Sequence, residues 1–105
     1  MNAIAVLEKS RTQIEALCAK YGVLRLRLFG SSVRQDWNFD RSDFDFLADF
    51  GEPPAGIASY VQLFGFIADL EELLGRHVDV VDLNAVSKPN FKENATIESQ
   101  EWYAA

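Results

Sequence analysis

An α/β layer, with helices packed on one face of a small sheet, is the fold class that this sequence predicts. Three observations carry it. Residues 23–29, 43–50 and 77–83 alternate apolar and polar at the period of a half-buried strand. Between and before them run stretches with helical periodicity, residues 4–21 and 57–74. Glycines and prolines stand at the ends of these stretches and leave their interiors almost unbroken.

The first helix rests on Ile4, Leu7, Ile14, Leu17, Cys18 and Tyr21, which recur at helical spacing with Glu, Lys and Arg between them; Gly22 is its stop. In the first strand Leu24, Leu26 and Leu28 alternate with Arg25 and Arg27. Gly30-Ser31 breaks it, residues 32–35 suit a short helix, and residues 36–42 read as a polar loop spiked with aromatics. The second strand sets Phe44, Phe46, Ala48 and Phe50 against Asp43, Asp45, Leu47 and Asp49, and Gly51-Glu52-Pro53-Pro54 ends it. Residues 57–74 form a long apolar helix closed by Gly75, wide enough in its apolar surface to lie across a sheet. The third strand alternates Val78 and Val80 with Asp79, and Pro89 suits the first turn of a last helix over residues 89–100.

The 105 residues suit one compact domain, spanning 1–105, and the hydrophobic fraction of 49% supplies its core. Ten basic against 16 acidic residues leave a formal net charge of -6, with no Lys/Arg-rich stretch. Such a surface repels phosphate backbones, so direct nucleic-acid binding is not expected, whereas a metal-neutralised nucleotide escapes the objection. Cys18 is the single cysteine, so no internal disulfide is possible, and its place in a helical pattern marks it as a small buried hydrophobe. The N-terminus lacks the pattern of a signal peptide and the longest apolar run is too short to span a bilayer, so a cytoplasmic protein with no membrane association is expected.

Side chains alternate along a strand, so Asp43 and Asp45 share a face, about 7 Å apart at their Cα atoms, opposite the Phe residues. Asp79 holds the same phase on the third strand, and if the two strands are neighbours the three carboxylates meet. Like charges held together raise one another's pKa and cost stability, which a bound cation relieves. All-oxygen ligands favour Mg²⁺, Mn²⁺ or Ca²⁺, and there is no second His or Cys for a softer metal. By itself an Asp-x-Asp pair is common on exposed strand faces, and His77 reads as a strand-end structural residue. A calcium loop beginning at Asp36 fails, because Arg41 stands where Gly is needed and Leu47 where a bidentate Glu is needed. Gly30-Ser31, where a buried strand ends, suits phosphate: Gly admits close approach, Ser offers a hydroxyl, and Arg34 follows about one turn on.

Together, Phe29-Gly30-Ser31 and Ser42-Asp43-Phe44-Asp45-Phe46-Leu47 resemble the Gly-Ser-x10-Asp-x-Asp motif of polymerase-β-like nucleotidyltransferases. Arg34 is similar to the Arg that often follows Gly-Ser in the minimal branch, and His77-Val78-Asp79-Val80-Val81-Asp82-Leu83 resembles its third-carboxylate strand. Eleven residues, 32–42, separate Gly30-Ser31 from Asp43, one more than the family's usual spacing, and the loop Trp37-Asn38-Phe39-Asp40 takes the extra one.

The resemblance implies the polymerase-β-like fold with a small mixed sheet, and transfer of a nucleotide with loss of pyrophosphate. It implies that Asp43 and Asp45 ligate Mg²⁺, that Asp79 completes a second metal site or acts as general base, and that Gly30, Ser31 and Arg34 hold the ATP phosphates. Minimal nucleotidyltransferases are similar to antitoxins paired with HEPN-domain toxins, some of which receive AMP on a tyrosine. The leading expectation is therefore an antitoxin that adenylylates a HEPN ribonuclease in a hetero-oligomer. The alternative is a non-catalytic nucleotide-binding antitoxin that masks its HEPN partner by contact, with Trp37, Trp102 and Tyr103 as candidate contacts. A third possibility is transfer to a small molecule, against which the absence of a substrate-binding domain argues.

Overall fold

The computed structural model describes residues 2–33, 37–85 and 99–105. Two helices open the chain, α1 (Ala3–Glu8) and α2 (Arg11–Tyr21), followed by strand β1 (Val23–Leu28) and a 3-10 turn, Gly30–Val33. Strand β2 (Phe44–Phe50), helix α3 (Ser59–Leu74), strand β3 (Val78–Asp82) and strand β4 (Gln100–Ala104) complete the described elements.

The four strands form one mixed sheet in the order β3-β2-β1-β4. β1 is antiparallel to both β2 and β4, while β2 and β3 run parallel. Parallel neighbours need a long crossover, and α3 supplies it. Leu26, Leu28, Phe44, Phe46, Phe50 and Val78 pack with Leu7, Ile14, Cys18, Phe66 and Leu70 in one buried cluster. The helices therefore cover one face of the sheet, as the Phe phase of β2 requires. Gln62, buried on α3, donates to the Tyr21 and Gly51 carbonyls at 3.0 Å each, tying the end of α2 to the end of β2.

Four expectations are corrected. The first helix is two helices, because the chain turns at Lys9-Ser10, where the Ser10 N–H donates to the Leu7 carbonyl at 3.0 Å. The apolar stripe is silent between Leu7 and Ile14, and Asn2 and Ser10, both good N-terminal residues, occupy the two N-cap positions.

The predicted last helix lies outside the described residues over 89–98, but its end at Gln100 is wrong, since Gln100 begins β4. That strand forms because β1 offers an edge: Leu28 pairs with Gln100 and Arg25 with Ala104. Trp102 then seats in the core under the Arg11 guanidinium, 4.0 Å from the ring centroid. Nor are the tryptophans free for contact, because Trp37 and Trp102 are both buried; Tyr60 and Phe64 on α3, 72% and 67% exposed, are the most exposed large aromatics among the described residues.

The face opposite the helices is also less open than its Asp phase suggested. Leu47 is fully buried there in a second small cluster with Leu83, Phe29 and Val81. On β2 this apolar patch separates Asp43 and Asp45, at the end where β2 and β3 begin, from Asp49 at the far end.

Candidate functional site

That polar end gathers the candidate residues from three adjacent segments. β2 and β3 are in register with Asp45 opposite Asp79, and parallel neighbouring strands lie about 4.8 Å apart. Both side chains leave the face away from the helices, since Phe44, Phe46 and Val78 point into the helix-side core. Asp43 stands one residue before β2, level with His77: the Phe44 N–H donates to the His77 carbonyl at 3.3 Å. The strands thus neighbour each other, which is the condition under which the three aspartates share a patch.

β1 runs antiparallel to β2, so the turn that follows β1 arrives beside the beginning of β2. The Phe29 N–H donates to the Asp45 carbonyl at 3.1 Å, and the Asp45 N–H donates to Ser32 Oγ at 2.8 Å. Gly30 has φ +58, and a Cβ there would sit 3.1 Å from Asp45 Oδ2. Both facts favour glycine, the first through backbone conformation and the second through closeness to a carboxylate. Gly30-Ser31 is therefore packed onto Asp45. The Ser31 side chain and all of Arg34 lie outside the described residues.

The carboxylate of Asp79 meets His77, whose Nε2 is 2.9 Å from Asp79 Oδ1. The other ring nitrogen, Nδ1, lies 3.1 Å from Glu71 Oε2, and that same carboxylate oxygen accepts the Val78 N–H at 3.0 Å. The hydrogen bond to Asp79 holds the His77 pKa above its ordinary value, with the charges of Asp79, Asp43 and Glu71 adding to it. Sequence gave His77 only a structural role. Its contact with Asp79 follows from their i, i+2 spacing on a strand, which sets both on one face, and that spacing was the available signal.

Asp43 is approached from the loop before it. Trp37 Nε1 donates to the Asp43 carbonyl at 3.0 Å, and Arg76 Nη1 donates to the carbonyls of Phe39 and Ser42 at 2.6 and 3.3 Å. Neither Trp37 nor Arg76 carries a motif that marks this duty in the sequence. Asp49, at the far end of β2, instead accepts from Asn84 Nδ2 at 2.9 Å. A groove of about 570 Å³ between α2 and α3 is lined by Gln13, Leu17, Asp69 and Leu73 among others, and by none of the candidate residues.

The donor set suits a hard divalent cation carried in with a phosphate ligand. Among the described residues no three His, Cys, Asp or Glu side chains form a ready-made metal cage. Mg²⁺ does not require one, because it uses one or two carboxylates and takes its other ligands from water and substrate phosphates. Asp45 under the Gly30 turn, with Asp43 two residues before it, fits that requirement, since the turn brings backbone and carboxylate together where a phosphate would bridge them.

Comparisons with known proteins agree with this arrangement. A family model described as a nucleotidyltransferase domain matches residues 10–101. A Methanocaldococcus jannaschii protein, named as a candidate protein adenylyltransferase, is 34% identical over 80 residues, covering 76% of this chain and 81% of that protein. The solved structure of a candidate minimal nucleotidyltransferase superposes with a TM-score of 0.74 at 31% identity, covering 94% of each chain. A toxin–antitoxin structure with AMP-PNP shares the fold, with a TM-score of 0.66 at 18% identity over 90% of this chain and 73% of that one. With its family model spanning most of its length and its Gly-Ser turn packed on an Asp-x-Asp strand, the chain belongs to the nucleotidyltransferase domain family and is a minimal nucleotidyltransferase.

Proposed function

We propose that this nucleotidyltransferase transfers AMP from Mg-ATP to a hydroxyl, that of a tyrosine, on a HEPN-domain ribonuclease toxin, and so acts as the antitoxin of the pair. The observation that carries the proposal is the pairing of Asp45 with Asp79 across β2 and β3, beneath the glycine turn that packs on Asp45. The protein-directed activity is supported by the relative named as a candidate protein adenylyltransferase. The toxin partner is supported by the fold shared with toxin–antitoxin complexes, one solved with AMP-PNP and one, MntA–HpeT, carrying paired Asp→Glu replacements.

In this reading Asp43 and Asp45 hold Mg²⁺, which when bound supplies positive charge against the phosphate oxygens as the bond to pyrophosphate breaks. Gly30, Ser31 and Arg34 bind the triphosphate tail, the turn through its backbone and Ser31 and Arg34 through their side chains. The acceptor oxygen forms a bond to the α-phosphorus, pyrophosphate leaves with the electron pair of the broken bond, and the hydroxyl proton passes to Asp79. His77, donating to Asp79, keeps that carboxylate oriented while leaving its second oxygen for the proton. The net charge of -6 suits a partner surface that is basic and disfavours free nucleic acid as substrate.

Incubating the purified protein with its HEPN partner and labelled ATP tests the proposal: label on the toxin is expected, abolished by substituting the toxin's acceptor tyrosine. No label with folded, nucleotide-binding protein would sink it. A second reading, neutralisation by contact with nucleotide bound but not turned over, draws support from the engagement of Asp79 by His77. It predicts that the double variant Asp43→Ala/Asp45→Ala still silences the toxin.

A further inference from the structure

Arg76 lies just after α3 and just before His77, outside every motif that defines the family site. Its guanidinium nonetheless reaches across to the loop that delivers Asp43. It donates to the carbonyls of Phe39 and Ser42 and lies 4.6 to 5.5 Å from the ring centroids of Phe39, Trp37 and Phe44. Both bonds leave one nitrogen, Nη1, while the planar guanidinium lies beside the three rings, a stacking that an ammonium cannot reproduce.

The loop is otherwise closed mainly on itself. Ser42 N–H and Arg41 N–H both donate to the Asn38 carbonyl, at 2.8 and 3.2 Å, and the Asn38 N–H donates to Ser42 Oγ at 2.9 Å. A self-closed turn fixes its own shape and leaves its placement on the body of the protein open. That placement comes from three bonds to loop carbonyls, Arg76 to Phe39 and Ser42 and Trp37 to Asp43. Arg76 is the member of the pair that belongs to the β3 side, where His77 and Asp79 stand.

We propose that Arg76 is a positioning residue: it clamps the loop of residues 37–42 to the start of β3 and thereby fixes Asp43 against Asp45 and Asp79. The proposal rests on the nucleotidyl-transfer reading only for what Asp43 does once it is placed.

The test uses Arg76→Ala and the conservative Arg76→Lys, each also combined with Asp43→Asn, and two readouts. The first is amide hydrogen exchange at Ser42 and Phe44 in the absence of ligand. The second is the affinity for Mg-AMP-PNP, since small misplacement of a liganding group costs about ten-fold or more. Arg76→Ala is expected to speed exchange at both amides and to weaken Mg-AMP-PNP by about ten-fold, Arg76→Lys to recover part of both. With Asp43→Asn already present, Arg76→Ala should weaken nucleotide binding no further, because the residue acts through Asp43. Unchanged exchange in Arg76→Ala overturns the proposal, as does an equal loss of affinity with and without Asp43→Asn. Arg76→Lys keeps the decision open to measurement should the alanine variant fail to fold. A wild-type protein that binds no Mg-AMP-PNP sinks the nucleotide reading instead, and the exchange readout then decides on Arg76 alone.

Discussion

Asp45 on β2 and Asp79 on β3 stand directly opposite one another in a parallel ladder, two carboxylates on adjacent strands. Asp79 is bound by His77. Like charges at such a spacing disfavour the folded state and favour whatever cation binds there. Replacing Asp45 by Asn is expected to lower nucleotide transfer by at least about 100-fold, the order expected when transition-state charge stabilisation is removed. Labelled-ATP transfer checks this, with a thermal melt on the same sample to show that the variant is folded.

Gly30→Ala tests the packing of the turn on Asp45. The new methyl group would face φ +58 and an Asp45 oxygen at 3.1 Å. The backbone conformation alone costs about 1–2 kcal/mol, and relief of the contact must displace either the turn or the carboxylate. The expected outcome is a modest loss of stability with a much larger loss of nucleotide affinity. A loss of stability with affinity intact would show that the turn does not serve the nucleotide.

Gly65 tests the helix–helix seam. A Cβ there would lie 2.7 Å from Tyr21 Cε1 and 3.0 Å from its hydroxyl, and Tyr21 is buried and held by Asp69. Gly65→Ala gains helix propensity but forces the ring to move, and overpacking of this kind costs about 1–3 kcal/mol. Denaturant unfolding should show a lower midpoint with an unchanged slope. The pairing of Gly65→Ala with Tyr21→Leu should recover much of the loss.

His77 gives a pH signature. Its pKa is raised first by the hydrogen bond to Asp79, then by the charges of Asp79, Asp43 and Glu71. A raised folded-state value means that its stabilising contribution is fully present below the unfolded pKa of about 6.5 and is lost as pH rises through the folded value. An NMR titration of the His77 ring should place its midpoint above that of an unfolded peptide, and Asp79→Asn should bring it down. A midpoint unmoved by Asp79→Asn would remove Asp79 as the principal cause.

Cys18 is fully buried and its thiol is pushed up to about 12 by burial, with the Glu15 charge adding to the effect. At pH 8 the native thiol should resist alkylation, and the reaction should appear only as denaturant unfolds the domain. Its rate then reports opening of the core between α2 and the sheet.

The site was legible in the sequence to the extent that its parts are local. Period-two alternation put Asp43 and Asp45 on the face opposite Phe44 and Phe46, and the core bears this out. Gly30-Ser31 stood at the end of a strand, as the turn does. The helix break at Lys9-Ser10 was hidden by an apolar stripe that continues in phase on both sides of it. β4 was hidden because Gln100 and Glu101 have no strand character alone, and their pairing with Leu28 and Arg27 supplies it.

What the sequence by itself determined, then, is which side chains share a face and where the chain must turn, because rotation per residue and backbone sterics act within a few positions. The tertiary structure decided which strands are neighbours, since pairing is a contact between distant segments that no local period encodes. Through that choice it set Asp45 opposite Asp79, laid Gly30 on the Asp45 carboxylate, joined His77 to Glu71, and brought Arg76 onto the loop before Asp43.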